Sequence, residues 1–210
     1  MATASAARGG AAPVRRRGGR RDTILAAALK LFSERGYQAT GIDEIGAAAG
    51  VSGPAIYRHF DSKHALLAAA FSYSFAQRRE QLAERLAGVA DPPRQLELLV
   101  HDTVQNTMVD RQVLSLFTRE LRHLPRDMRK TVQRKQQELT DDWVQVVRQV
   151  YPRLGEVEAR MAVVCVHNLI ATLAYTDGGL PSDELERLLV DMSQAAFEAV
   201  GVANGKKGRS

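Results

Sequence analysis

The stretch Thr40–Phe60, TGIDEIGAAAGVSGPAIYRHF, decides how the N-terminal part of this chain folds. Its first half is predicted to form a short amphipathic helix, because apolar residues recur at intervals of three and four. These residues are Ile42, Ile45 and Ala49. Thr40 and Asp43 have the spacing of a capping box, which places the start of the helix just after Thr40. Gly50 is predicted to end it, since glycine adopts the left-handed conformation without a Cβ clash.

A second short helix is predicted directly after the turn. Ser52 carries a hydroxyl suited to capping its start, and Pro54 fits a first turn, where no intrahelical donor is needed. Ile56 and Phe60 lie four residues apart and are predicted to face inward. The residues between them then form an exposed surface: Tyr57, Arg58 and His59. Two short helices joined by a tight turn, the second presented at the surface, fit the DNA major groove.

The residues around these helices resemble a known family. Three segments within Asp22–Phe71, namely ILAAALKLFSERGYQAT, IDEIGAAAGVSGPAIYRHF and DSKHALL, are similar to the N-terminal domain of TetR-family bacterial transcriptional regulators, in order and in spacing. The resemblance covers about a quarter of the chain. Gly53-Pro54 stands where the family often has Lys-Gly, a departure that affects base preference rather than docking.

The resemblance implies a DNA-binding role for nine residues of the two short helices and their flanks. They are Thr40, Ser52, Gly53, Pro54, Ala55, Tyr57, Arg58, His59 and Lys63. Residues 52–59 would enter the major groove, and phosphates would be held by Thr40, Tyr57 and Lys63. The base edges would be met by Gly53, Pro54, Ala55 and Arg58. A contact from Arg58 to guanine is the most specific of these. For Lys63, a solvated side chain is the alternative.

The rest of the chain is predicted to be helical, which makes the fold class all-α. Apolar residues recur at helical intervals in every long segment, and no strand-like alternation of useful length occurs. We predict a disordered, Arg-rich arm over 1–20 and a helix-turn-helix DNA-binding domain over 21–61. A helical effector-binding and dimerisation domain is predicted over 62–201, and a disordered tail over 202–210.

Positive charge is concentrated in the arm. Residues 1–21 carry six of the 29 basic residues, all of them arginines, so the rest of the chain carries 23 basic and 24 acidic residues and is nearly neutral. Basic arms of this kind lie along phosphates or in a minor groove. A solubilising tail or a cloning remnant is the alternative interpretation.

The last two helices are predicted to form the interface of a homodimer. The segment 161–175, MAVVCVHNLIATLAY, is apolar almost all round, so both faces should be covered and Cys165 should be an inert buried thiol. The following helix is predicted to carry one apolar stripe: Leu185, Leu188, Leu189, Met192, Ala196 and Phe197. Paired across a twofold axis, helices 156–175 and 182–200 would make a four-helix bundle, as in proteins similar to TetR. An intrachain core is the alternative.

By the same resemblance, residues 62–151 would enclose an effector pocket. Candidate lining residues are Phe71, Phe75, Met108, Phe117, Trp143 and His167. Eight basic residues lie between 109 and 135, opposed by three acidic ones. From these we add Arg122, Arg126 and Lys130, which would receive a phosphorylated or carboxylated effector such as an acyl-CoA. A solvated face is the alternative.

Motifs for other functions are absent from the sequence. It contains no nucleophile elbow, zinc-protease pair, P-loop or dinucleotide fingerprint, and no Cys/His spacing typical of a metal site. No apolar run approaches the roughly 18 residues of a membrane span, and the N-terminus lacks the core of a secretory signal. We therefore expect a cytoplasmic protein without cofactor, metal, membrane contact or enzymatic activity.

The sequence thus predicts a homodimeric, ligand-responsive transcriptional regulator that binds double-stranded DNA. It is expected to be a repressor that releases a near-palindromic operator when a small hydrophobic or acyl-CoA-like effector binds. Two alternatives remain. One is a DNA-binding dimer without an effector, and the other is an all-α small-molecule-binding protein or enzyme with a degenerate DNA-binding head.

Overall fold

The computed structural model describes residues 19–172 and 179–207. Within these residues the chain forms nine α-helices and no strand, which confirms the all-α prediction. The helices are α1 (Arg20–Arg35), α2 (Ile42–Ala49), α3 (Gly53–Tyr57), α4 (Lys63–Leu86), α5 (Pro92–Val109), α6 (Arg111–Glu120), α7 (Arg126–Val150), α8 (Glu156–Ala171) and α9 (Ser182–Lys207). A short 3-10 turn, Leu121–His123, joins α6 to α7.

The first three helices and the start of α4 pack around one apolar core, which we call the head core. Ile56 and Phe60 are buried, as their spacing predicts, and so is Tyr37. From α4 the head core includes Leu66, Leu67 and Phe71, and it also includes Leu116 of α6 and Val132 of α7. The division at 61/62 therefore remains a prediction, because apolar packing is continuous across it.

The start of α2 differs from the predicted capping box. Gly41 is the N-cap, and its N–H donates to the Glu44 carboxylate at 2.7 Å. The Thr40 side chain turns inward instead, and its hydroxyl lies 2.9 Å from the carbonyl oxygen of Gly36 and 3.2 Å from that of Leu31. The prediction that Thr40 and Asp43 form the cap is wrong, because the Thr40 hydroxyl satisfies carbonyls at the end of α1.

The turn between α2 and α3 depends on close approach of the backbone. Gly50 ends α2 at φ 68° and ψ 34°, the left-handed conformation predicted from the sequence. A Cβ atom on Gly46 would lie 2.7 Å from the Val51 carbonyl oxygen and 3.2 Å from the Gly53 nitrogen. The absence of a side chain at Gly46 thus lets the turn fold back onto α2 and fixes where α3 begins.

A second core joins the C-terminal helices to the far ends of α4, α5 and α7. Its largest buried side chains include Trp143 of α7 and Phe197 of α9. Helix α9 is longer than predicted: it continues to Lys207, so a disordered tail from 202 is wrong as far as 207. A Cβ atom on Gly201 would lie 2.4 Å from the Tyr151 ring, so this glycine lets α9 run closely past Tyr151. The tail residues 208–210, the arm residues 1–18 and the interface residues 173–175 lie outside the described residues.

Gly46→Ala should destabilise the protein. Helix propensity alone favours alanine in the middle of α2 by about 0.5–1 kcal/mol. The new Cβ would instead press on backbone atoms that cannot rotate away, at a cost of about 1–3 kcal/mol. Chemical denaturation measures the change in the free energy of unfolding. The control is Ala48→Gly, an exposed change in the same helix that should show the propensity effect alone. A stabilised Gly46→Ala variant would contradict the packing argument.

Candidate nucleic-acid interface and ligand cavity

Helix α3 is short, and its exposed side chains form a compact surface. Tyr57 is 53% exposed, and Ser52, Pro54, Arg58 and His59 are exposed as well. The regular helix ends at Tyr57, so Arg58 and His59 lie in the turn that follows it. Buried Ile56 and Phe60 hold the segment at both ends, which fixes the direction in which the exposed side chains point.

Two of the predicted DNA-binding residues, Thr40 and Gly53, are buried within the head. Thr40 is 1% exposed, and its hydroxyl is bonded within the chain, so it offers no side-chain contact to a phosphate. Gly53 is buried against α2, where a Cβ atom would lie 2.0 Å from Oδ1 of Asp43. Gly53 therefore serves the approach of α3 to α2 rather than a base edge. Ala55 is half-buried.

Lys63 starts α4 beside the head core. Its ammonium lies 4.5 Å from the centroid of the Tyr37 ring and donates to the Gln38 carbonyl at 3.4 Å. Burial lowers the pKa of Lys63, and nearby Glu120 opposes this shift. Burial, assisted by Glu120, raises the pKa of Tyr37 to about 12, so its hydroxyl stays protonated at neutral pH. The Lys63 cation is thus held at the edge of the head by an aromatic face and a carbonyl.

Two arginines at the start of α1 lie against the same surface. Arg20 donates to the Gly50 carbonyl at 3.4 Å, next to the start of α3. The Arg21 guanidinium lies 5.1 Å from the centroid of the Phe60 ring. Arg20 therefore places positive charge at the α2–α3 turn, and Arg21 places it beside Phe60, just after α3.

A large cavity opens among α4, α5, α6 and α7. Its main lobe has a volume of about 760 Å³, and a second lobe of about 390 Å³ reaches α8. Arg78 and Phe117 are among the residues that line both lobes, so the two lobes lie side by side. The Phe117 ring meets the rings of Phe71 and Phe75 edge to face, each with centroids 5.2 Å apart. These three phenylalanines were predicted lining residues, as were Trp143 and His167, which line the second lobe.

Four predicted pocket residues lie elsewhere. Met108 packs against the C-terminal core and lines neither lobe. Arg122, Arg126 and Lys130 are exposed and also line neither lobe. The reason is helical geometry: α7 turns Val132 inward, which directs 126 and 130 to the opposite side. The prediction that this basic group lines the pocket is wrong.

Sequence reasoning missed the polar centre of the cavity. Arg78 of α4 forms an ion pair with Asp102 of α5, which is 3% exposed. Arg85 contacts the other oxygen of the same carboxylate at 2.6 Å. The two partners are 24 residues apart in sequence, and no motif connects them. The charge of Asp102 in an otherwise apolar helix face was the available signal.

His167 contributes a neutral imidazole to the second lobe. Its ring meets Trp143 edge to face, with centroids 4.8 Å apart. Burial, assisted by the nearby Arg78 cation, lowers the pKa of His167 to about 4. His167 is therefore uncharged at neutral pH, available as both a hydrogen-bond donor and an acceptor.

The outer faces of α8 and α9 expose large apolar side chains. On α8 these include Val157 (76% exposed) and Met161 (56%), and on α9 Leu188 and Met192. The predicted single stripe of α9 is divided, since Leu189 and Phe197 are buried in the C-terminal core while Leu188 and Met192 face outward. Cys165 is exposed on this face, contrary to the prediction of a buried thiol. One protomer alone leaves this apolar surface uncovered.

Two kinds of arrangement are absent from the described part of the chain. Among these residues no group of three or more His, Cys, Asp or Glu side chains is arranged to hold a metal ion. None of the described helices combines the length and apolar character needed to cross a membrane.

Comparison with known proteins finds matches in both parts of the chain. The model of the family "Bacterial regulatory proteins, tetR family" matches residues 24–70, and that of "Tetracyclin repressor-like, C-terminal domain" matches residues 89–196. The second match alone covers half of the chain.

Among curated relatives, the transcriptional repressor KstR2 of Rhodococcus jostii is 33% identical over 110 residues, 50% of this chain and 52% of its own length. The transcriptional activator FasR of Mycolicibacterium smegmatis is 54% identical over 44 residues, 21% of this chain and 20% of its own length. The chain thus spans about half or less of these relatives. FadR from Bacillus subtilis, solved with stearoyl-CoA, has the same fold, with TM-score 0.68 and 19% identity over 85% of this chain and 96% of FadR.

Acidification should lower the stability of the folded chain because of His167. The unfolded chain takes up a proton at His167 below about pH 6.5, whereas the folded chain resists this until about pH 4. Stability should therefore fall as the pH drops from 6.5 to 4, by up to about 1.4 kcal/mol per pH unit from this group. The measurement is the free energy of unfolding against pH. His167→Gln should flatten that slope, and Asn168→Ala on the same helix should not. Equal slopes for the wild type and His167→Gln would refute the assignment.

Proposed function

The chain belongs to the TetR family of bacterial regulatory proteins, and from that premise we propose a homodimeric, ligand-responsive repressor that binds a near-palindromic operator. The observation that carries this proposal is the exposed surface of Pro54, Tyr57, Arg58 and His59, held in place by buried neighbours. A rigidly presented group of polar and aromatic side chains is what major-groove recognition requires.

Within this proposal the exposed residues divide into two roles. Tyr57 and Lys63 hold phosphates, and the field of Arg20 and Arg21 adds to the sequence-independent attraction. Arg58 reads a base, with guanine as its preferred partner because the guanidinium can donate two parallel hydrogen bonds to it. Thr40 and Gly53 support binding indirectly, since they fix the ends of α1 and α3.

The apolar face of α8 and α9 supports dimerisation. Isolated apolar side chains are normal on a protein surface, but here several occur together on two adjacent helices. Pairing this face with its copy across a twofold axis would bury it in a four-helix bundle. The twofold axis would also place two heads about one DNA turn apart, as a near-palindrome requires. Binding chromosomal DNA would place the protein in the cytoplasm.

The cavity supports control by a ligand. Its main lobe, about 760 Å³, falls in the range of roughly 300–1,000 Å³ typical of ligand pockets. Leu114 and Phe117 of α6 line it, while Leu116 of the same helix is buried in the head core. A ligand that prefers a different position of α6 would therefore shift the population of head arrangements by its difference in affinity. An open cavity of this size disfavours a dimer without an effector.

The relatives support a hydrophobic effector and a repressing role. FadR from Bacillus subtilis binds stearoyl-CoA in its solved complex. The relatives include a repressor and an activator, and the match to the repressor covers more of the chain. We therefore propose that the protein is a repressor and that its effector is a small hydrophobic or acyl-CoA-like molecule. Release of the operator follows if the effector favours the head arrangement that fits DNA less well.

Selection of genomic DNA fragments by the purified protein tests the proposal. At about 150 mM salt, where non-specific attraction is screened, one near-palindromic sequence should be enriched. Hydrophobic compounds and acyl-CoAs are then tested for release of that DNA. Enrichment of no sequence would refute the regulator proposal, and a palindrome released by no ligand class would refute its ligand-responsive part.

Two variants test the division of roles within α3 and its flank. Tyr57→Phe removes a phosphate contact and should weaken binding to all sequences by a similar factor. Arg58→Ala should relax the preference at one base position, with a loss of about 1–3 kcal/mol for the preferred base. Both are measured by selection from randomised sites. Indistinguishable selection profiles for the two variants would contradict the assigned roles.

A further inference from the structure

The cavity wall contains a buried cation that the chain itself satisfies only in part. Arg78 is 16% exposed, and it lines both lobes of the cavity. Its Nη2 lies 3.4 Å from the Thr103 hydroxyl and contacts the Asp102 carboxylate, but its Nη1 is buried without any hydrogen-bond acceptor. A guanidinium has five N–H donors in a fixed planar arrangement, so Arg78 keeps donors for an acceptor beyond Asp102 and Thr103.

The ion pair beneath the cavity has more positive than negative charge. Asp102 is shared by Arg78 and Arg85, so a single carboxylate faces two guanidinium groups. Asn106 donates to the backbone carbonyl of Asp102 at 2.8 Å, which further fixes the group. Because Arg85 is 56% exposed, solvent screens its charge, whereas Arg78 is shielded from water. The excess positive potential is therefore strongest at the cavity wall, beside Arg78.

One other charge at the cavity, the exposed Asp110 carboxylate, interacts with Arg78 and offsets part of this potential. Among the described lining residues of the main lobe, Asp110 is the only acidic side chain, and it is open to solvent. In the second lobe Arg78 is the only charged side chain among the described lining residues, because His167 is neutral at pH 7. The remaining lining is apolar or carries neutral groups such as Thr107 and Gln136, which can donate hydrogen bonds without adding charge.

An apolar region lies beside this cation. Phe71, Phe75 and Phe117 form an edge-to-face cluster in the main lobe, and Leu139 lines both lobes. A ligand that fills this region must therefore be largely apolar, yet carry an acceptor where Arg78 meets it. We propose that the cavity binds a carboxylic acid with an apolar body, and that Arg78 receives its carboxylate. This inference rests on the proposed ligand-responsive function and names the ligand class.

A free acid fits the described residues better than a coenzyme A thioester. The basic residues suited to coenzyme phosphates, Arg122, Arg126 and Lys130, are exposed and line neither lobe. A thioester would bring only a weak neutral acceptor to Arg78 and would add no second negative charge beside that of Asp102. A carboxylate supplies two charged oxygens that match the fork of the guanidinium.

The single tryptophan gives a direct test without DNA. Trp143 lines the second lobe, so its fluorescence reports on ligands in the cavity. The protein is titrated with saturated medium- and long-chain carboxylic acids. The primary amide and the coenzyme A thioester of each acid are titrated in the same way, all below their micelle concentrations. The wild type should bind the acid about 10- to 100-fold more tightly than the amide, the difference expected of a charge-assisted hydrogen bond. The acid should also bind more tightly than the thioester.

Arg78→Gln should abolish the preference for acid over amide while leaving amide binding within about threefold, and Arg78→Lys should restore part of the preference. Circular dichroism and DNA binding check the fold of each variant. If Arg78→Gln does not fold, NMR titration of His167 in the wild type provides the second measurement. The bound acid should raise the pKa of His167, because it neutralises the Arg78 cation that helps to lower it, and the amide should not.

Four outcomes would overturn the inference: equal binding of acid and amide, tighter binding of the thioester, an unchanged preference in folded Arg78→Gln, or no response of Trp143 to any acid. Each is independent of the proposed function, because operator binding and its release by other compounds are measured separately on the same protein. If the protein binds acids but no operator, the proposed regulator function is refuted while the proposed acid site is retained.

Discussion

Leu66, Phe71 and Leu116 pack in the same apolar core as the residues that hold α3, and the arrangement of the whole molecule depends on this shared packing. Phe71 also lines the main lobe of the cavity, next to Phe117. Close-packed interiors do not deform gradually, so a change in the cavity is passed on as a shift of α4 or α6. In the proposed function, shared packing rather than a flexible linker is therefore the physical basis for communication between ligand and DNA.

The sequence predicted the elements well because local signals specify them. Helical periodicity predicted an all-α chain, Gly50 marked the end of α2, and the inward direction of Ile56 and Phe60 followed from their spacing. The failures concern contacts between distant segments. The Thr40 hydroxyl bonds to the end of α1, and Gly53 approaches Asp43, and neither contact is visible in a local pattern. Close spacing of basic residues in the sequence, likewise, did not place them at the cavity.

Charge is used differently inside and outside the molecule. The exposed arginines at the start of α1 and in the α6–α7 region face solvent, where salt screens their charge. Arg78 is shielded from water, so its charge is specific to whatever group lies against it. A cation of this kind could not be recognised from the sequence, because its partner Asp102 lies on another helix and its burial depends on α5 and α7. The tertiary structure alone distinguishes it from the surface arginines.

The most direct test of the account is the distance between the two heads of the proposed dimer. A spin label on Ala48→Cys, in a Cys165→Ser background, reports this distance by pulsed electron paramagnetic resonance. The account predicts dipolar coupling between the labels of two copies. On the operator, the distance distribution should be narrow and should match α3 helices about 34 Å apart. Any ligand that releases the operator should shift this distance distribution. No coupling between copies, or release of the operator without a change in the distribution, would contradict it.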